Sequence, residues 1–428
     1  MRSPLQDFLS RRRSGVSTGI YSVCSAHPWV IRAAAEQAAE AHSLLLVEAT
    51  SNQVNQFGGY TGMRPAGFRD FVLGYAAAAG LETRLLILGG DHLGPNPWRT
   101  MPADEAMKHA QDMIAEYVQA GFTKIHLDAS MSCAGDPQQL SDEVVAQRAA
   151  QLCRAAENAG TPGGGPVYVI GTEVPVPGGA MHSVQELDVT SIEAAEYTLA
   201  VHKRVFEEQG LAEVWPRVIA LVVQPGVEFD HDSVVAYDRA KAKPLVDWLR
   251  VQREEIVFEA HSTDYQLPNA YAELVEDGFA ILKVGPALTF AMREVLCALE
   301  DIESQLIAEN QQSFLTRTIE KIMLREPANW KPYYQGTPAE QKLLRLYSYS
   351  DRIRYYWHLP EIDEAVDRLI ANLSAVTIPE SMYSRYLPLQ YARLRNKEIE
   401  GDPVSLIVDR IRDVLRVYAA GCNQVAPL

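Results

Sequence analysis

Short apolar runs alternate with helical segments over the first two thirds of the chain. Eight runs fit strands that are buried on both faces: 19–25, 44–50, 85–88, 124–130, 167–173, 218–223, 256–261 and 279–284. The stretches between them have helical composition at 29–41, 68–79, 104–120, 139–159, 194–209 and 240–250, with a kink or a fresh start at Pro244. This alternation predicts an α/β fold, a (β/α)8 TIM barrel over residues 19–285. An open doubly wound sheet is disfavoured, because its polar clusters would concentrate at one switch point, whereas here they follow nearly every strand.

The strand pattern stops after Met292, and apolar residues continue only at helical spacing. We therefore predict two parts, a barrel over residues 1–305 and a C-terminal helical extension over 306–428 that serves as a lid or an interface. The aromatic residues of the extension are predicted to pack in its core, among them Tyr347, Tyr349, Tyr355, Tyr356 and Trp357.

Composition narrows the possible partners. The chain has 428 residues, 47% of them hydrophobic, and a net charge of −16, which argues against nucleic acid or an anionic membrane as the main partner. Five cysteines without a CxxC pair argue against a disulfide framework, and no apolar run approaches the ~20 residues of a membrane span. The N-terminal residues lack the apolar segment of a secretory signal. These features predict a cytoplasmic protein that acts on a small molecule.

Polar side chains at the ends of the predicted strands are rich in imidazole and carboxylate. Because the strand ends of a barrel meet at one mouth, they predict a divalent metal site, with Zn²⁺ favoured and Mn²⁺, Co²⁺ or Ni²⁺ as alternatives. His92 and His261 are the first candidate ligands, and Glu173 and Glu228 are the candidate carboxylate ligands. The competing interpretation makes the histidines supporting hydrogen-bonding groups and the glutamates solvent-facing loop residues.

Asp91 adjoins His92 and should therefore point in a different direction, which makes it the proton-transfer candidate; the alternative is a helix cap. Asp128 could replace a glutamate ligand, hold a ligand from behind, or act as a further catalytic carboxylate. Lys283 could form a Schiff base, but the metal site is better supplied, so a structural or substrate-binding role is predicted. Candidate substrate-binding residues are Glu48, Asn52, Gln53, Gln224, Asp264 and Lys283.

Several long blocks of the sequence carry a family resemblance. They are IYSVCSAHP, VEATSNQVNQFGGYTGM, GGDHLGP, KIHLDASMSCAGDP, GTEVPVPGG, VVQPGVEFDH, EAHSTDYQ, LKVGPALTF and SDRIRYYW. Together they closely resemble the Z-type subunit of tagatose-1,6-bisphosphate aldolase, a family related to the class II, metal-dependent aldolases. The resemblance implies a barrel, a divalent metal and a place in tagatose or galactitol catabolism.

The resemblance also assigns roles to individual residues. It implies that Asp91 is the catalytic aspartate, that His92 and His261 are metal ligands, and that Glu173 is the metal glutamate that stands before a Gly-Gly pair. Glu173 is also a candidate catalytic residue, and whether Asp91 or Glu173 moves the proton stays open. The middle histidine of the aldolases has no clean counterpart; among the nearby positions only Glu228 resembles a good ligand. No loop glutamate follows the Gly-Gly pair, since Ala180 and Met181 stand there.

The chain departs from the aldolases where they bind the C1 phosphate of dihydroxyacetone phosphate. Ser262-Thr263-Asp264-Tyr265 replaces their glycine- and serine-rich loop, and Gly285-Pro286-Ala287 replaces their Asn and Asp after the eighth strand. These departures predict that the C1 phosphate grip is absent.

Three functions remain after these comparisons of motifs. The first is C4 epimerisation of a ketohexose or its phosphate, such as tagatose 6-phosphate to fructose 6-phosphate, by retro-aldol cleavage and re-addition. The second is a non-catalytic partner of a separate aldolase subunit. The third, a tagatose-6-phosphate kinase, lacks support because the sequence has no GxxxxGK[ST] loop. We favour the epimerase, because acid, base and ligand types all remain at the strand ends, and we expect a homo-oligomer.

Overall fold

Eight parallel strands close into a barrel in the computed structural model, which describes residues 3–160, 164–172, 187–252 and 254–423. Each strand pairs with its neighbours in sequence, and the first pairs with the last, so the predicted (β/α)8 fold is confirmed. The strands are β1 (Ile20–Val23), β2 (Leu45–Thr50), β3 (Leu86–Leu93), β4 (Lys124–Leu127), β5 (Val167–Ile170), β6 (Val218–Val222), β7 (Val257–Ala260) and β8 (Phe279–Val284).

Helices connect the strands on the outside of the barrel. They span Pro28–Ala41, Pro65–Ala78, Ala103–Gln119, Asp142–Ala159, Ile192–Glu208, Arg239–Val251, Pro268–Glu276 and Pro286–Leu306. Prolines occupy the first turn of several of them, where the missing N–H costs no bond, and Ser141, Ser191 and Asp238 cap others. The helix Arg239–Val251 continues through Pro244, so the fresh start predicted there does not occur. The hydrophobic pattern misses Pro268–Glu276 and an N-terminal helix, Pro4–Ser10, because both are short.

The chain continues after Leu306 as helices that pack against the barrel. They span Leu315–Arg325, Pro338–Tyr347, Pro360–Ser374, Glu380–Tyr386, Pro388–Arg395 and Pro403–Gly421. The last of these lies against the barrel helices Pro28–Ala41, Pro268–Glu276 and Pro286–Leu306. The division at residue 305 stays a prediction. Among the described helices, none combines the length and the apolar character that crossing a bilayer requires.

A second part of the extension lies against the loops that follow β6 and β7. A two-stranded hairpin after β6 pairs Glu228–Phe229 with Val234–Val235, and the His231 carbonyl in its turn accepts a bond of 2.8 Å from the Tyr349 N–H. The Tyr265 hydroxyl, from the loop after β7, donates to the Tyr349 carbonyl at 2.7 Å. These bonds hold residues 348–355 at the C-terminal mouth of the barrel.

Candidate active site

An irregular stretch of β3 brings two adjacent polar residues to the barrel mouth. The register between β3 and β4 shifts between Gly90 and Leu93, and His92 has a positive φ of 46°. Asp91 and His92 consequently line the same pocket, with His92 Nε2 3.8 Å from Asp91 Oδ2. Gly89 allows this packing, since a Cβ there would lie 2.5 Å from Glu48 Oε1.

The imidazole of His92 is held from behind by Asp128. His92 Nδ1 lies 2.8 Å from Asp128 Oδ2, and Asp128 Oδ1 also accepts a bond of 2.7 Å from the Ser130 hydroxyl. Burial raises the pKa of Asp128, but the bond and charge of His92 outweigh it and lower the pKa below its usual range. Burial lowers the pKa of His92, and Asp91 and Asp128 raise it further than burial lowers it. The arrangement fixes the ring and leaves its Nε2 3.8 Å from Asp91 Oδ2.

Three carboxylates and two ammonium groups form a buried ionic network beneath the pocket. Lys124 Nζ lies 2.6 Å from Glu48 Oε1 and 2.7 Å from Glu259 Oε2. Lys283 Nζ lies 2.8 Å from Asp91 Oδ1 and 3.5 Å from Glu259 Oε1, and it also contacts Glu48. These side chains are almost wholly removed from solvent.

The network keeps Asp91, Glu259 and Lys283 charged. Burial raises the pKa of Asp91 and Glu259, but neighbouring cations, Lys283 among them, outweigh burial and lower both well below the usual range. Burial lowers the pKa of Lys283, and Asp91 and Glu259 outweigh it and raise the pKa well above that of a free lysine. A protonated amine is not a nucleophile, which argues against a Schiff base on Lys283.

Four side chains at the centre of the mouth each offer a ligand atom within 4.8 Å of the others: Asp91, His126, Glu259 and His261. His126 Nε2 is buried and has no hydrogen-bond partner among the described residues. Burial lowers the pKa of His261 to about 4, so this imidazole is neutral near pH 7, as a metal ligand must be.

Charge also fits a divalent cation at this cluster. By formal charge, the carboxylates of Glu48, Asp91, Asp128 and Glu259 outnumber the cations, Lys124, Lys283 and protonated His92, by one. Nitrogen and oxygen donors of this kind suit zinc and its neighbours in the first transition series. The buried cluster is therefore a candidate metal site.

Of the four predicted ligands, the structure brings His92 and His261 close together and leaves Glu228 outside the cluster. The rings of His92 and His261 lie 4.8 Å apart, and that of His126 lies 5.2 Å and 5.3 Å from them. Glu228 is not among the four clustered groups; its carboxylate accepts a bond of 3.0 Å from the Phe229 N–H, and burial raises its pKa to about 7. Glu173, with residues 173–186, lies outside the described residues.

The sequence reasoning counted His126 and Glu259 among the polar strand-end residues but gave them no role in the site, and it missed Lys124. A signal for them exists, because alternate residues of a strand share a face. Lys124 and His126 are two residues apart on β4, and Glu259 precedes His261 by two residues. Asp128 had already marked this face of β4.

A narrow pocket of about 90 Å³ opens above the cluster, and several predicted substrate-binding residues line it. Asn52, Gln53, Asp264 and Lys283 do so, whereas Glu48 lies in the network below. Gln224 Oε1 instead accepts bonds of 2.8 Å and 3.0 Å from the backbone of its own loop. The extension contributes Arg354 and Tyr355, so the prediction that its aromatics only pack does not hold for Tyr355.

Asp264 occupies the start of the last barrel helix. Its Oδ1 accepts bonds from the backbone N–H of Gly285 at 3.1 Å and of Ala287 at 2.9 Å. Burial raises the pKa of Asp264 to about 6 in spite of these bonds. A helix start near the end of β8 is a common phosphate site in barrels, and here a carboxylate of the chain fills it.

The chain is similar to proteins of one family over nearly its whole length. The family model described as D-tagatose-1,6-bisphosphate aldolase subunit GatZ/KbaZ-like matches residues 5–423. The crystal structure of a probable tagatose 6 phosphate kinase from Sinorhizobium meliloti 1021 is 50% identical, with a TM-score of 0.88, and the match covers 94% of this chain and 100% of that one.

Two solved aldolases are more distant. The YdjI aldolase from Escherichia coli K12 is 11% identical with a TM-score of 0.42, over 85% of this chain and 97% of that one. The fructose-bisphosphate aldolase from Campylobacter jejuni is 12% identical with a TM-score of 0.46, over 99% of this chain and 93% of that one. At these scores neither carries an argument about the present site.

Proposed function

The chain belongs to the GatZ/KbaZ-like family of D-tagatose-1,6-bisphosphate aldolase subunits, and on that premise we propose that it epimerises a ketohexose phosphate at C4, with tagatose 6-phosphate and fructose 6-phosphate as the pair. One observation carries the proposal: a buried cluster of imidazole and carboxylate groups lies under a pocket and retains a His126 Nε2 that has no partner among the described residues. Buried polar atoms in folded proteins are nearly always paired, and His126 combines an unpaired nitrogen with three neighbouring donor groups, which together point to a ligand.

A divalent metal would be held by Asp91, His126, Glu259 and His261, with His92 as a further donor. When bound, it would supply Lewis acidity to the C2 carbonyl and the adjoining hydroxyl of the sugar. Its identity, Zn²⁺ first and Mn²⁺, Co²⁺ or Ni²⁺ next, is part of the proposal.

The residues of the chain then handle the proton. Asp91, ionised at neutral pH, accepts the proton of the C4 hydroxyl as the C3–C4 bond breaks, giving an aldehyde and a three-carbon enediolate. Lys283, protonated at 2.8 Å from Asp91 Oδ1, orients the carboxylate. The aldehyde turns over in the pocket, the bond re-forms on its other face, and Asp91 returns the proton to the new C4 hydroxyl. No atom is gained or lost, and C4 is inverted.

The second candidate is a non-catalytic subunit that supports a separate aldolase chain. Membership of a family of aldolase subunits favours this supporting role. In that case this chain would catalyse no reaction at the cluster, and its outer surface would serve to bind the aldolase chain.

Incubation of the purified chain with tagatose 6-phosphate and Mn²⁺ or Zn²⁺ separates the two candidates. We expect fructose 6-phosphate, measured by a coupled dehydrogenase assay, and its loss with EDTA. Absence of turnover by the chain alone, together with stimulation of an added aldolase subunit, would instead establish the supporting role.

A matched pair of variants locates the metal. His126→Ala should abolish both turnover and tight metal content measured by plasma mass spectrometry. His202→Ala removes another buried imidazole, whose Nδ1 bonds to the Thr198 carbonyl at 2.8 Å and whose Nε2 likewise has no partner among the described residues, but which is not part of the cluster. This control should keep its metal, and equal metal content in the two variants would show that the cluster is not the binding site.

A further inference from the structure

We propose that Arg354, from the C-terminal extension, binds the phosphate group of the substrate. The inference rests on the proposed function for the identity of that substrate. It concerns the end of the sugar away from the reacting carbons, and none of the predicted site residues supplies a cation for that end.

Arg354 lies where two cavities meet. The inner pocket of about 90 Å³ holds the reactive groups, and an outer cavity of about 460 Å³ adjoins it. Cys24, Gln53, Tyr60, Gly285 and Arg354 line both. An open-chain hexose phosphate whose C2 to C4 lie over the clustered groups can reach this junction with its phosphate end, because the two cavities meet there.

The guanidinium group at the junction has spare donors. Its Nη1 donates to the carbonyls of Ser350 and Asp351, and its Nη2 donates to the Tyr355 hydroxyl at 3.0 Å. These bonds use three of the five N–H groups and leave one on Nε and one on Nη2. Within the described ranges, no ion pair includes Arg354, whereas the nearby Arg293 is paired with Asp351 at 2.8 Å. Two free N–H groups on a guanidinium that has no ion pair among the described residues match two phosphate oxygens.

The alternative phosphate site in the barrel is already filled. The backbone N–H groups of Gly285 and Ala287, which would receive an anion at this helix start, both donate to Asp264. A phosphate placed there would meet a carboxylate. Farther out, Asp363 and Asp367 line the outer cavity and repel an anion, so the junction is the favourable position along this path.

The segment that carries Arg354 is fixed to the barrel. Asp351 accepts a bond of 2.6 Å from the Thr289 hydroxyl on the last barrel helix, in addition to its pair with Arg293. Tyr265, three residues beyond Ser262, holds the Tyr349 carbonyl at 2.7 Å. The guanidinium is thus held at a set distance from the cluster before any substrate binds, which lowers the entropic cost of recognition.

The test compares phosphorylated and free substrate. For Arg354→Gln we expect kcat/KM on tagatose 6-phosphate to fall about 100-fold, mostly through KM, and kcat/KM on free tagatose to change less than threefold. Arg354→Lys, which keeps the charge but not the fork, should lose about tenfold on the phosphate ester. Arg368→Gln is the control, since Arg368 is exposed and lines neither cavity.

A second readout does not depend on turnover. Inorganic phosphate should raise the melting temperature of the wild-type chain and of Arg368→Gln, and should leave Arg354→Gln unchanged. If both substrates lose activity equally, or phosphate stabilises Arg354→Gln as much as the wild type, the inference is wrong. If the wild type turns over neither sugar, the proposed function fails, and the melting measurement still decides the role of Arg354.

Discussion

Replacing Asp264 by asparagine should raise the free energy of unfolding above that of the wild type at neutral pH, and this gain should shrink in acid. The asparagine side chain keeps an oxygen that can accept from the Gly285 and Ala287 N–H groups, as Asp264 Oδ1 does at 3.1 Å and 2.9 Å. The substitution therefore removes the ionisation of the carboxyl while the helix cap is retained.

The size of the effect follows from the raised pKa. Burial raises the pKa of Asp264 to about 6 in the folded chain, against about 3.9 in an unfolded one. Between these values the unfolded chain releases its proton first, so the wild type loses stability as the pH rises. A difference of about two pH units is worth about 3 kcal/mol, at about 1.4 kcal/mol for each. The free energy of unfolding of Asp264→Asn, minus that of the wild type, should rise by about this amount from pH 3.5 to pH 7.

Urea titrations followed by tryptophan fluorescence at several pH values measure this difference directly. Asp112→Asn is the control, because Asp112 is a solvent-exposed residue of the helix Ala103–Gln119 and its substitution removes a carboxyl from the surface instead of the interior; the pH-dependent gain should be specific to Asp264→Asn. A constant difference for Asp264→Asn would refute the reasoning, since it would mean that the buried carboxyl titrates as it does in the unfolded chain.

Three further predictions concern the buried network and the strand ends. Lys283→Met should lower the free energy of unfolding in EDTA by about 3–5 kcal/mol, because it leaves Asp91 without its ammonium partner and Glu48 and Glu259 to share Lys124; the loss should shrink as pH falls toward 4 and the carboxylates protonate, and exposed Lys108→Met should cost under about 0.5 kcal/mol. Borohydride treatment with tagatose 6-phosphate should add no mass to the wild type, since Lys283 is protonated; a trapped adduct on Lys283 would contradict this. Gly94→Ala should cost more than about 3 kcal/mol in urea unfolding, because its Cβ would lie 1.6 Å from the Asp128 carbonyl oxygen, while Gly67→Ala, in open space within a helix, should be neutral or stabilising by up to about 1 kcal/mol.

The barrel was predictable because its signal is local. A strand buried on both faces needs a continuous apolar run, and the run ends where the chain reaches the polar mouth. This places β8 at Phe279–Val284, as predicted, and places the other strands within a few residues. β3 differs most: it extends to Leu93, past the end of its apolar run at Leu88, because Gly89 and Gly90 keep pairing with β4.

The candidate site was predictable only in part, since it depends on geometry that a local pattern does not record. Because His92 has a positive φ, Asp91 and His92 line the same pocket, whereas neighbouring residues of a regular strand point to opposite faces. Lys124 begins an apolar run, yet its ammonium group lies under the mouth because two carboxylates from other strands meet it there. Arg354 lies far beyond β8 in the sequence, and no periodicity connects it with the pocket.

The energetics of the network favour a working site over a relic. Replacing buried ion pairs with apolar side chains of similar volume is often neutral or stabilising, so stability alone gives no reason to keep Lys124, Lys283 and their carboxylates in a barrel core. A supporting subunit needs only the fold and an outer surface, and leucines would fill the same space. The unpartnered His126 nitrogen adds a cost that a ligand at the cluster would offset. Because these groups converge beneath a pocket that Arg354 also lines, the arrangement is best explained by binding of a cation and an anionic sugar at the same mouth.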